Sequence, residues 1–184
     1  VVIYNFKHYQ VFQFTHQIGT DGSFTSFVMF ISNFMQVFIQ FFTAQGHSGR
    51  VLNHETLGIL LLAERLKMKG AKVVVYDLAR CDIHAAVADA FRYSKLVLGS
   101  ITYNGDVFPF MKEFIHHLTE RNYQNRMVGF VENGSWAPVA SKVMMKMLEG
   151  SKNLTIVEPT VKILSGLNDA SAAQIDALAA ELCK

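Results

Sequence analysis

Residues 73–100 read VVVYDLARCDIHAAVADAFRYSKLVLGS, and the alternation inside this stretch decides the fold. Val73-Val74-Val75-Tyr76 is apolar at every position, which is the pattern of a strand covered on both faces. A helical run over 83–93 follows, with Asp82 placed to accept from its first free N–H groups. Leu96-Val97-Leu98 is the next fully apolar strand. Upstream, 57–69 is rich in helix formers and ends in Lys67, Lys69 and Gly70, a favourable charge and cap pattern for a helix C-terminus. Downstream, the pattern predicts a helix over 110–121 with Pro109 in its first turn, a strand over 127–131 and a helix over 139–148. A broken strand over 154–157 and 161–164 comes next. A closing helix over 172–182 has Ile175, Leu178, Ala179 and Leu182 on one face. Apolar strands alternating with helices make a parallel sheet covered on both sides, so the fold class is a doubly wound α/β domain.

The first part of the chain has a different composition. Ten of the fifteen Phe lie in residues 1–42, whereas Lys7 and Asp21 are the only charged side chains before residue 49. Asp21-Gly22 between two apolar runs reads as a hairpin turn, yet Phe27, Phe30, Phe34, Phe38 and Phe41 recur at helical spacing. The two readings exclude each other. Residues 1–35 are therefore a segment of unassigned structure, and 36–184 the domain.

Across all 184 residues the formal charge is +2 and the hydrophobic fraction 51%. Such a chain can build a core, and it advertises neither nucleic acid nor an anionic membrane as partner. The most apolar run, 27–42, is shorter than the roughly 20 residues a spanning helix needs and is interrupted by Ser32, Asn33, Gln36 and Gln40. Two distant cysteines, Cys81 and Cys183, form neither a disulfide framework nor a zinc spacing. A reducing, cytoplasmic location is the expectation.

In a doubly wound sheet the ligand sits beyond the carboxyl ends of the strands, where strand order reverses. Two loops there carry chemistry. After Leu98 come Gly99-Ser100-Ile101-Thr102-Tyr103-Asn104-Gly105-Asp106-Val107-Phe108-Pro109. After Val131 come Glu132-Asn133-Gly134-Ser135-Trp136-Ala137-Pro138. Each offers an aromatic ring, small residues that allow close backbone approach, and hydroxyl or amide groups, the set a flat heterocycle requires. Turn-building alone would explain either loop; two at successive strand ends, one holding the sole Trp, point to a ligand.

These loops resemble the second and third FMN loops of the flavodoxin-like domain of flavodiiron proteins, the A-type flavoproteins. The likeness runs over about residues 53–184, with weaker support from Tyr76-Asp77-Leu78 and Phe114-Ile115-His116-His117-Leu118. It implies a five-stranded sheet in the order 2-1-3-4-5 and a bound FMN that relays electrons. It implies that Thr102, Tyr103 and Asn104 approach the flavin from one side and Ser135 and Trp136 from the other, with Ser100, Gly105, Asn133 and Gly134 completing the two loops. It also implies a redox donor protein such as rubredoxin or a flavin reductase; a homodimer is a further possible partner state. No clustered His and carboxylate motif of a di-iron centre occurs in this sequence, so on that resemblance such a centre would belong to a missing upstream domain.

The phosphate loop is where the sequence departs from the family. A flavodoxin opens with an apolar strand, then a hydroxyl- and glycine-rich loop whose N–H groups hold the phosphate. Residues 37–42 followed by Thr43, Gly46, His47 and Ser48 are the favoured match. Asn53-His54-Glu55-Thr56 matches the family's spacing without a strand before it, and Val1-Val2-Ile3-Tyr4 is a third choice of first strand. Among other features, His116-His117 reads as a solvated pair on a helix, Met144, Met145 and Met147 as core filler, and Cys81 as a thiol without a redox partner. Two functions follow: an FMN-binding electron-transfer domain, the C-terminal part of a larger oxidoreductase, or a non-catalytic interaction module of the same fold with a degraded phosphate loop.

Overall fold

Apolar residues on both sides of the central strands need helices to cover each face of the sheet. The structure, a computed structural model, describes residues 36–41, 54–135 and 137–184. In chain order the elements are β1 (Gln36–Phe41), α1 (His54–Met68), β2 (Lys72–Asp77), α2 (Ile83–Arg92), β3 (Lys95–Tyr103), β4 (Asp106–Val107), α3 (Pro109–Glu120), β5 (Arg126–Gly134), α4 (Ala140–Leu148), β6 (Leu154–Leu164) and α5 (Asp169–Leu182). The sheet runs β2-β1-β3-β5-β6, with these neighbours parallel, and β4 pairs antiparallel with β3.

Adjacent residues of β2, β3 and β5 feed opposite cores, which is why these strands carry unbroken apolar runs. Val74, Leu96, Leu98, Val128 and Phe130 pack under α2, α3 and α4, while Val73, Val75, Val97, Val131 and Ile163 pack under α1 and α5. Met144 is buried in the first of these cores, and Met145 and Met147 lie against it.

The local signals explain the helix ends. Asp82 accepts the His84 N–H at 2.9 Å at the start of α2. After α1, Gly70 takes φ +84, and the bonds Ala71 N–H to Leu66 C=O and Gly70 N–H to Lys67 C=O form a Schellman motif. Pro109 opens α3. The closing helix begins earlier than its apolar stripe indicates, because Asn168 and Ser171 form a reciprocal capping box.

Three features differ from the sequence reading. β3 and β5 extend past their apolar runs to Tyr103 and Gly134, since Ser100 pairs with Glu132 and Ile101 with Asn133 in the backbone ladder. Polar side chains hid this extension. β6 is one strand rather than two: between Val157, opposite Gly129, and Val161, opposite Val131, it holds three residues where β5 holds one. Pro159 is tolerated there because β6 is an edge strand. The phenylalanine spacing read as helical ends in a strand, since Phe38 and Phe41 belong to β1. The hairpin reading around Asp21-Gly22 lies outside the described residues.

Candidate functional site

β1 lies between β2 and β3, so the chain leaves β1 to one side and returns on the other. The carboxyl ends of β1 and β3 thus bound the crevice where doubly wound sheets take ligands.

β3 ends there in Tyr103, and the chain reverses through Asn104 and Gly105, with φ of 52 and 73. Two successive positive φ values mark the turn that matches the twist of a hairpin, and Asn-Gly is its preferred pair. Thr102 faces Val107 and Tyr103 faces Asp106 across it. The hairpin is tied down by Asp106, whose carboxylate accepts from Val107 N–H at 2.8 Å and from Lys112 Nζ on α3 at 2.6 Å. These two donors, Lys112 first, hold the Asp106 carboxyl below the usual aspartate range. The Tyr103 ring is 51% exposed and sits 4.9 Å from the Phe108 ring, which in turn is 6.1 Å from Phe110. A large aromatic left half in solvent at a crevice mouth is a stacking surface.

The neighbouring strand β5 supplies the next loop along this edge. Asn133 is buried within β5, Gly134 ends the strand, and Ser135 is exposed. A Cβ on Gly134 would lie 3.1 Å from Cα and Cβ of Pro138, so the loop folds back closely over this glycine. Helix α4 then starts with no capping side chain of its own. Its first N–H groups are taken from across the sheet: Thr102 Oγ1 accepts from Val139 at 2.9 Å and Ala140 at 3.2 Å, and Glu132 Oε2 accepts from Ser141 at 2.9 Å.

Of the residues singled out in the sequence, Ser100, Thr102, Tyr103, Asn104, Gly105, Asn133, Gly134 and Ser135 therefore meet at the ends of two paired strands. They are not equivalent. Ser100 is fully buried with its hydroxyl donating to Ile101 C=O at 3.1 Å, and the Thr102 oxygen serves α4. Tyr103, Asn104, Gly105 and Ser135 are exposed. Trp136 and the phosphate-loop residues Thr43, Gly46, His47 and Ser48 lie outside the described residues, as do the side chains of the competing 53–56 match. The strand that the favoured match requires is present as β1, and α1 starts at His54. Glu132 opens the second of the two loops quoted from the sequence but was given no role there. Its signal was a carboxylate directly after the apolar run of β5.

Elsewhere the described residues hold little chemistry. Burial, then Asp77, pushes the Cys81 thiol up to about 11, so it stays protonated and unreactive at neutral pH. His116 is 67% exposed beside Glu120. Among the described residues no three His, Cys, Asp or Glu are grouped as metal ligands, and no helix is long and apolar enough to cross a membrane. A cleft of about 380 Å3 lined by Thr119, Tyr123, Gln124 and Lys152 opens at the amino-terminal end of the sheet, away from the crevice.

Solved structures share this fold at low identity. Rubredoxin oxygen:oxidoreductase from Desulfovibrio gigas is similar with a TM-score of 0.71 at 18% identity, over 82% of this chain and 35% of that one. Flavodoxin 1 from Bacillus cereus gives 0.67 at 14% identity, over 80% of this chain and 96% of that one. The Flv1 flavodiiron core from Synechocystis sp. PCC6803 gives 0.69 at 11%, over 81% and 35%. The chain thus spans about a third of the length of the flavodiiron structures and has the flavodoxin-like fold. No protein-family model matches it, and no curated protein matches it.

Proposed function

We propose that residues 36–184 are an FMN-binding electron-transfer domain, the C-terminal part of a flavodiiron-type oxidoreductase, with its five long strands in the flavodoxin order 2-1-3-4-5. The observation that carries this reading is the half-exposed Tyr103 ring on a pinned Asn-Gly hairpin, beside the close Gly134–Pro138 turn of the next strand.

The donor set fits a flavin. Tyr103 offers an aromatic face, Asn104 and Gly105 an exposed peptide, and Gly134 and Ser135 a second stretch of approachable backbone. Bound FMN would supply the redox chemistry, accepting and passing on electrons, while the protein fixes its orientation and surroundings. Tyr103 and Trp136 would flank the ring, and Asn104, Gly105, Asn133 and Ser135 would meet its polar edge. The phosphate needs a helix start with free N–H groups. That of α4 is closed by Thr102 and Glu132, and that of α2 is capped by Asp82. The start of α1, which follows the switch-point strand, is the one suited to it, with Thr43, Gly46, His47 and Ser48 as ligands. A redox protein such as rubredoxin or a flavin reductase would deliver the electrons.

Titration of the purified chain with FMN and with riboflavin, followed by absorbance, tests this. FMN uptake with much weaker riboflavin binding is expected, and Ser48→Ala should abolish the difference. If Thr56→Ala does so instead, the 53–56 match holds the phosphate. A colourless protein that takes up neither flavin returns the chain to the interaction-module reading.

A further inference from the structure

We propose that Glu132 is a positioning residue of the candidate site, one that holds the first turn of α4 and so the point where the loop after β5 ends. The proposal rests on the reading of this edge as the flavin site.

Glu132 has no solvent exposure at all. A buried carboxylate is costly unless its oxygens find donors, so its presence between an apolar strand and a loop needs a reason. One oxygen, Oε2, accepts the Ser141 N–H at 2.9 Å. The other, Oε1, lies 3.7 Å from Lys162 Nζ on β6 and accepts no hydrogen bond from the described residues. Ser100, Glu132 and Lys162 are register partners, so the carboxylate stands in a polar row across three strands at the carboxyl edge.

A serine or aspartate at the N-cap would satisfy the start of α4 locally. Val139 stands there instead, and makes no capping bond. The N–H groups of residues 139, 140 and 141 are held by Thr102 from β3 and Glu132 from β5. Five residues join β5 to α4, and one of them, Pro138, lies close against Gly134. Cross-sheet capping therefore fixes the α4 end of the loop that leaves β5, next to the end of β3. Removing the Glu132 acceptor leaves the Ser141 N–H buried and unpaired, and frees the loop's far end. Glutamine keeps an oxygen at that position.

The test measures two things in the same proteins: amide hydrogen exchange at Ser141, and the FMN dissociation constant. In Glu132→Ala, Ser141 exchange should speed up and FMN binding weaken by about tenfold each, the size expected for one lost buried hydrogen bond. Glu132→Gln should restore both to within about threefold. If Glu132→Ala does not fold, Glu132→Asp withdraws the acceptor by one methylene, keeps the charge and carries the same readouts. Wild-type FMN affinity in a folded Glu132→Ala or Glu132→Asp protein overturns the proposal, and so does unchanged Ser141 exchange. If the wild-type protein takes up no FMN, the flavin reading falls, and accelerated Ser141 exchange still establishes the hold on α4.

Discussion

Asparagines with left-handed backbone stand at both ends of the sheet and serve different purposes. At the amino-terminal end, Asn125 and Asn153 have φ of 56 and 53, and Asn153 Nδ2 donates to Asn125 Oδ1 at 3.0 Å while Asn125 N–H donates to Lys152 C=O at 3.1 Å. These turns are closed on themselves. At the carboxyl end, Asn104 shares a turn with Gly105 that ends a strand and leaves the preceding tyrosine half exposed. Turn chemistry alone does not mark a site. What separates the two ends is the unsheathed aromatic and the helix start capped from across the sheet.

Gly134 is a crowded point of the carboxyl end. Gly134→Val should destabilise the protein by about 2 kcal/mol, since the new side chain meets the Pro138 backbone and must push the loop outward. FMN affinity should fall with it, and denaturant midpoints and flavin titration read the two effects separately. Next in size, Gly105→Val has open space around its Cβ but keeps φ at +73, so the penalty is conformational, about 1–2 kcal/mol. A lower urea midpoint at unchanged m would show it. At the opposite end, Asn153→Ala should cost about 1 kcal/mol through the lost bond to Asn125. It should leave FMN affinity unchanged, which sharpens the contrast between the two ends.

The smallest effect belongs to the hairpin pin. Lys112→Met removes a half-exposed ion pair, worth a few tenths of a kcal/mol up to about 1. The Asp106 carboxyl is depressed in the folded protein, so its contribution is present above the ordinary aspartate value of 3.8 and fades as pH falls through the lower folded value. Wild type and Lys112→Met should therefore differ at pH 6 and converge in strong acid.

Much of this architecture was legible in the chain. Runs such as Val73-Val74-Val75 feed two cores at once, so their unbroken hydrophobicity names a covered parallel sheet. Asp82 and Gly70 announced helix ends because caps are local. The site was legible in its residues and not in its shape. Asn104-Gly105 carried a hairpin signal that the surrounding polar loop concealed, while Asp21-Gly22 drew the hairpin reading instead. The role of Glu132 was illegible for a physical reason: its partner is a backbone N–H nine residues on, and no side-chain pattern reports a backbone donor. The start of α4 was read to within one residue from its apolar pattern, whereas its capping groups, which come from two strands, were not.

The central claim is that the exposed Tyr103 edge binds a flavin, and the most direct measurement is FMN affinity in wild type and Tyr103→Ala side by side. The packing lost in this variant is the contact with Phe108, so the unfolding free energies should agree within about 1.5 kcal/mol. FMN binding should weaken by about 1–3 kcal/mol, the range for losing an aromatic stacking partner. Equal FMN affinity in the two proteins would contradict the account.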